Sequence, residues 1–194
     1  MAAFSPTDLL LLFQRAQAQF TDRVDAVEAG EWDDVALPGW SVADLVAHLT
    51  GEQLRVPALL AGAESTAVAA GIPTDTEQLL GGDPLTAWES AADAALTAWA
   101  APGALEQSLH LPGGDSPAVE HLAEMTADLT VHAWDLARAV GGVTELDPEL
   151  VAAALHHAEE RRGDGAPGGL AALVEPPPGA DLQTRLLARY GRRA

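Results

Sequence analysis

Cysteine is absent from this 194-residue chain. That excludes a structural disulfide, a cysteine-ligated zinc and a protein thiol nucleophile. Any thiol chemistry would have to use a thiol supplied by a cofactor. Lysine is absent too. The ten basic residues are all arginine, set against 29 acidic ones, and the net charge is −19. An acidic surface of that strength repels phosphate backbones, so nucleic acid is excluded as a natural partner and anionic membranes are disfavoured. No apolar run is long enough to span a bilayer; the stretch from Leu9 to Phe13 falls far short. The N-terminal Met1 to Pro6 carries no basic residue of the signal-peptide kind, so the expected location is the cytoplasm. There is no glycine-rich loop ahead of a lysine, no nucleophile elbow and no HExxH motif.

What the chain does have is alanine and leucine, within a hydrophobic content of 48%. Both are strong helix formers. With one tyrosine and three phenylalanines, the mixture predicts an all-α protein with closely approaching helices. The length suits one domain over residues 1–194, with a bundle core over about 1–142 and a C-terminal helix and Gly/Pro-rich tail, 143–194, packed on it.

The helices can be placed by their caps and stripes. Ser5-Pro6 starts a first helix that carries Leu9, Leu12, Phe13, Ala16, Phe20, Val24 and Val27 on one face and runs to about Ala29, with Gly30 ending it. Residues 32–39 read as a loop. Ser41 with Asp44 forms a capping box for a second helix to about Leu60, which Pro57 should kink or end. Trp40 and Leu45 have the spacing of a hydrophobic staple across that cap. Residues 62–82 give no firm period. A third helix covers about Asp83 to Ala100, and residues 105–111 read as an extended connector or at most a short hairpin. A fourth, long helix runs from Ser116-Pro117 to Gly141-Gly142. A fifth spans Asp147 to about Arg162. Residues 163–180 are Gly/Pro-rich, and a last short helix covers about Asp181 to Tyr190.

Two of these helices carry the chemistry. Asp128 and His132 are four apart, so on the fourth helix they share a face. His48 lies one and a half turns into the second. Brought together, the three make a two-histidine, one-carboxylate site with a position left open for water or substrate. Each also has a plainer reading. His48, among Leu45, Val46 and Leu49, could be a hydrogen-bonded core histidine. The stripe His121, Met125, Asp128, His132, Asp135 could be a solvated face, since Glu120 and Glu124 line its acidic side. Asp135 fits a position behind the ligands, orienting one of them, or else a simple ion pair with Arg138. Trp134 reads as core or pocket wall. His121 is within reach of a pocket mouth, although surface exposure is its plainer reading. His156 and His157 project about 100° apart and make a poor ligand pair. His110 gives no signal.

Two segments together carry a resemblance. They are Pro38-Gly39-Trp40-Ser41-Val42 with Asp44-Leu45-Val46-Ala47-His48-Leu49, and Val131-His132-Ala133-Trp134-Asp135-Leu136-Ala137 with Gly141. They resemble the mycothiol-dependent maleylpyruvate isomerase N-terminal family, in the DinB-like superfamily of metal-binding four-helix bundles. The tail from Asp181 to Arg192 looks like the ending of a particular subgroup. The resemblance implies a DinB-like bundle with additional short C-terminal helices. It also implies a divalent metal on His48, Asp128 and His132: zinc first, nickel or iron as alternatives. Members of known activity usually carry glutamate where this chain has Asp128. The isomerase also has a further C-terminal domain that helps complete its site. The roughly fifty residues after the fourth helix are too few for such a domain with its own core.

The function expected from this is a thiol-dependent metalloenzyme. A small thiol such as mycothiol would occupy the open position, and a small electrophilic molecule would undergo transfer or isomerisation. The alternative is a non-catalytic metal- or ligand-binding bundle. A bundle without any metal is the third reading.

Overall fold

The structure is a computed structural model and describes residues 5–160 and 174–193. Eight helices and two short hairpins are present among these residues. The order is α1 (Pro6–Asp25), β1 (Val35–Leu37), β2 (Trp40–Ser41), α2 (Val42–Leu60), α3 (Ser65–Ala70) and α4 (Thr76–Leu80). It continues with α5 (Pro84–Trp99), β3 (Ser108–Leu111), β4 (Gly114–Pro117), α6 (Ala118–Ala139), α7 (Pro148–Glu160) and α8 (Leu182–Arg189).

Four helices close a ring: α1 packs on α6 and α5, and α2 packs on α5 and α6. Helix α7 covers α6 and part of α1, and α8 packs on α7. The core is the shared apolar stripe of these helices. Phe13, Phe20, Leu45, Leu49, Trp88, Trp99, Leu122, Leu129 and Leu136 are all essentially inaccessible to solvent. Burying each large side chain contributes about 1.5–3 kcal/mol, which outweighs the weak propensity of any one short helix. The polar groups caught inside are satisfied locally. The hydroxyls of Thr50, Thr126 and Thr130 donate to the carbonyls four residues earlier, at Val46, Leu122 and Thr126.

Helix starts follow the expected chemistry. Ser5 caps α1 through the Asp8 amide. At α2, the Ser41 hydroxyl accepts from the Asp44 amide, and the Asp44 carboxylate accepts from the Ser41 amide at 3.0 Å. Asp44 also accepts from Thr76 Oγ1 at 2.8 Å, which ties α4 to the start of α2. These hydrogen bonds, first that from the Ser41 amide, hold the Asp44 carboxyl below the usual carboxylate range. Ser41→Ala should therefore cost about 1 kcal/mol, the usual value of an N-cap side chain. Urea denaturation should show a lower midpoint at unchanged slope; an unmoved midpoint would mean that tertiary packing alone fixes this helix start.

The structure departs from the sequence-based elements in three places and decides two open readings, at Pro57 and at 105–111. Helix α1 ends at Asp25, before the expected Ala29. The segment read as a loop, 32–39, contains β1, which pairs antiparallel with β2 through a Pro38-Gly39 turn. Gly39 has φ +83°, which a type II turn requires at that position and which glycine adopts without strain. Residues 62–82, without a firm period, hold α3 and α4. Both are too short for a helical stripe to register. Pro57 does not end α2, which runs on to Leu60 with Pro57 in its last turns. The connector at 105–111 is one arm of a hairpin, β3–β4. The expected end of α7 near Arg162 and the first part of the Gly/Pro-rich tail lie outside the described residues.

Candidate metal centre

Helices α2 and α6 bring His48, Asp128 and His132 together. One ligand-capable atom from each lies within 4.8 Å of the others. His48 Nε2 is 3.9 Å from Asp128 Oδ2, and His132 Nε2 is 3.4 Å from Asp128 Oδ1. The two imidazole rings are 6.0 Å apart, centre to centre, and steeply inclined. Trp40, carried on β2, sets its ring edge-on to His48 at 5.1 Å and limits where that ring can turn. The hairpin missed in the sequence therefore has a role: it places a wall of the site.

Burial differs across the trio. The His132 side chain is 3% exposed, whereas those of His48 and Asp128 keep 33% and 29%. The three line a cavity of about 500 Å³ whose wall also includes Trp40, Arg55, His121, Tyr190 and Arg192. The solvated-face reading of the α6 stripe does not hold for His132 or Asp135, both of which are buried. His121 is likewise turned inward, its ring 6.3 Å from Trp99 and its side chain only 12% exposed. Surface exposure is thus corrected for this residue: the stripe winds toward the cavity as α6 rises.

Asp135 stands behind His132. Its Oδ2 is 3.0 Å from His132 Nδ1, so the ring donates its Nδ1–H to the carboxylate and turns Nε2 toward Asp128. Asp135 does not pair with Arg138, as i,i+3 spacing suggested. The Arg138 guanidinium sits over the Trp134 ring at 5.4 Å, and Asp135 binds Arg192 instead. His157 lines the cavity, while His110 pairs with Asp115 in the β3–β4 hairpin, at 2.8 Å.

The electrostatics are those of a tightly coupled cluster. Burial opposes the charged form of His132, but Asp128 and then Asp135 outweigh it and push the imidazole up to about 9. Desolvation opposes ionisation of Asp128, yet His132 first and His48 second hold its carboxyl well below the usual range. Asp135 is also held low against burial, by His132 and Arg192. The cluster is thus a fixed carboxylate flanked by two imidazoles, a donor set that suits a divalent transition metal or zinc. The carboxylate on the far nitrogen of His132 is the usual device that orients a ligating imidazole. The residues present fit such a cation.

The comparisons with known proteins bear on family and fold. The family model described as the mycothiol maleylpyruvate isomerase N-terminal domain matches residues 13–137. The chain belongs to that family. Two uncharacterised Mycobacterium tuberculosis proteins, MT0763 and Rv0738, are each 32% identical over 166 residues, covering 82% of this chain and 85% of theirs. A crystal structure of the mycothiol-dependent maleylpyruvate isomerase superposes with a TM-score of 0.63 at 18% identity, covering 82% of this chain and 72% of that one. A histidine-to-alanine variant of the same enzyme superposes with a TM-score of 0.62. This likeness establishes the fold as the all-α, DinB-like bundle. No helix among the described residues is long and apolar enough to cross a membrane.

Sequence reasoning did not find Arg192 or Tyr190 as site residues. Arg192 lies 57 positions from its partner Asp135, beyond any helical spacing rule. The only local signal was the match of the Asp181–Arg192 tail to a subgroup ending.

Proposed function

We propose that this family member is a metal-dependent enzyme that uses a low-molecular-weight thiol on a small electrophilic molecule, by transfer or isomerisation. The observation that carries the reading is the convergence of His48, Asp128 and His132 at the wall of a partly open cavity, in a chain of the mycothiol maleylpyruvate isomerase family. In this reading His48 and His132 offer their Nε2 atoms, and Asp128 offers a carboxylate oxygen that offsets cationic charge. Zinc is the first choice for two imidazoles and a carboxylate; nickel and iron suit the same atoms. A divalent cation held there would bind a thiol as its thiolate, because coordination strongly favours the deprotonated form.

The protein's own contribution is positioning. Asp135 accepts from His132 Nδ1, so Nε2 is the nitrogen turned toward Asp128 and the one that would give up its proton to a bound cation. Trp40 restrains His48. The cavity, about 500 Å³, has room for a small molecule, and Leu49, Met125 and Leu129 give it an apolar wall. The absence of cysteine is consistent with a nucleophile that arrives from outside the chain.

The test is spectroscopic. Cobalt-loaded protein should gain a sulfur-to-metal charge-transfer band when mycothiol or a simple thiol is added. The band should be missing in His48→Ala and His132→Ala, which lack a ligand. A cobalt spectrum that ignores saturating thiol would remove the enzyme reading in this form and favour the non-catalytic metal-binding bundle.

A further inference from the structure

The buried end of the chain reaches the site from behind. Helix α8 delivers Tyr190 and Arg192 to the cavity wall, and the Arg192 side chain is only 9% exposed. Its guanidinium grips Asp135 with two nitrogens: Nε lies 3.2 Å from both carboxylate oxygens, and Nη2 lies 2.7 Å from Oδ2. Its third nitrogen, Nη1, donates to the Tyr190 carbonyl. The Arg192 amide donates to the Leu187 carbonyl at 2.8 Å, which fixes the backbone that carries this side chain to the end of α8.

Asp135 thus lies between two partners. On one side it accepts the Arg192 fork; on the other it accepts His132 Nδ1–H at 3.0 Å. An aspartate carboxylate, on its single methylene, can rotate about two side-chain bonds. The hydrogen bond from His132 constrains one oxygen only. The planar, two-point guanidinium contact sets the plane of the carboxylate as well, which a single donor cannot do. It also neutralises a carboxylate that is 1% exposed and would otherwise have only the imidazole as counter-ion.

We propose that Arg192 is a positioning residue for the metal site: it holds the Asp135 carboxylate in the plane that aims His132 Nε2 at Asp128. The inference rests on His132 being a ligand, as proposed above, and makes the C-terminal tail a working part of that site. The chain of contact runs Arg192, Asp135, His132, with every link a hydrogen bond. Removing the first link leaves a buried carboxylate free to turn, and the imidazole loses its fixed orientation. The penalty should match that of losing a hydrogen-bond partner behind a ligand, about 10–100-fold in metal affinity.

The experiment is a double-mutant cycle on the full chain, read by zinc titration and by NMR of the imidazole protons in the metal-free protein. Arg192→Ala should weaken zinc binding by about 10–100-fold. Adding it to Asp135→Asn should worsen that variant by less than about twofold, because both changes cut the same path. The slowly exchanging His132 Nδ1–H resonance should be present in the unmodified protein and lost in Arg192→Ala. Arg192→Lys keeps the charge without the planar fork and should fall between; it also serves if the alanine variant does not fold. Arg15→Ala, which cuts the pairing of α1 with Asp147 and Glu149 outside the cavity, should change stability but neither readout. Zinc affinity within about twofold of the unmodified protein in Arg192→Ala, or losses that simply multiply in the double variant, would overturn the proposal. If the unmodified protein binds no zinc, the metal reading fails, while the Nδ1–H resonance still decides the part played by Arg192.

Discussion

Asp128→Ala should abolish measurable zinc binding at concentrations that saturate the unmodified protein, whereas Asp135→Ala should leave weakened binding. The order follows from position. Asp128 lies between the two imidazoles and contributes both an oxygen and the negative charge that offsets a cation. Its loss leaves two imidazoles and no carboxylate between them, a poor site for a divalent ion in a partly exposed cavity. Of the three proposed ligands Asp135 touches only His132, at its far nitrogen, and losing such a partner typically costs about 10–100-fold. The loss at Asp128 should therefore exceed about 100-fold, a difference of at least about 2.7 kcal/mol. Calorimetric titration of both variants checks the order. Equal and negligible effects would mean that the polar stripe of α6 is a network of buried hydrogen bonds with no affinity for a cation.

The parts of this molecule legible in the sequence are those set by short-range rules. The capping box Ser41–Asp44 announces α2, and the residues that close it are three apart. Asp128 and His132 are four apart on α6, so their common face follows from helix geometry alone. The apolar stripe of α1 holds at Leu9, Leu12, Phe13, Ala16, Phe20 and Val24, all buried, whereas Val27 lies past the helix end at Asp25 and is only partly buried. What escaped was set by tertiary contact or by elements too short for a period to show. The two-residue strand Trp40–Ser41 carries no alternation of its own, yet it sets Trp40 against His48. Helices α3 and α4 have six and five residues, barely one turn each beyond their caps. Spacing gave Asp135 either a place behind the ligands or a local partner in Arg138, and nothing in it pointed to Arg192, the partner in the structure. Burial decides between them: Asp135 is enclosed, Arg138 faces solvent, and a buried carboxylate takes the cation that is buried with it.

Trp88→Ala should destabilise the fold by about 3–5 kcal/mol, the usual cost of removing a large aromatic side chain from a packed core. Trp88 is fully buried on α5 and meets Phe20 of α1 edge-on at 4.7 Å. Its indole N–H donates to Thr21 Oγ1 at 2.8 Å, and that hydroxyl donates in turn to the Gln17 carbonyl. One side chain thus supplies apolar area, an aromatic pair and a satisfied buried donor at the α1–α5 seam. Trp88→Phe keeps a ring and removes the N–H, so it should cost clearly less. With a total stability of about 5–15 kcal/mol for a domain of this kind, the alanine variant would lose a large share of its margin. Urea unfolding measures both. Trp88 does not line the cavity of His48, Asp128 and His132, so zinc affinity of the folded fraction should be unchanged in both variants. A loss below about 1 kcal/mol in Trp88→Ala would mean that the seam collapses onto the gap and that α1 and α5 are held chiefly by their other contacts. Unfolding that is easy to provoke at Trp88 and metal binding that is easy to abolish at Asp128 would then be separate properties of one bundle, the first governed by the α1–α5 seam and the second by the α2–α6 face.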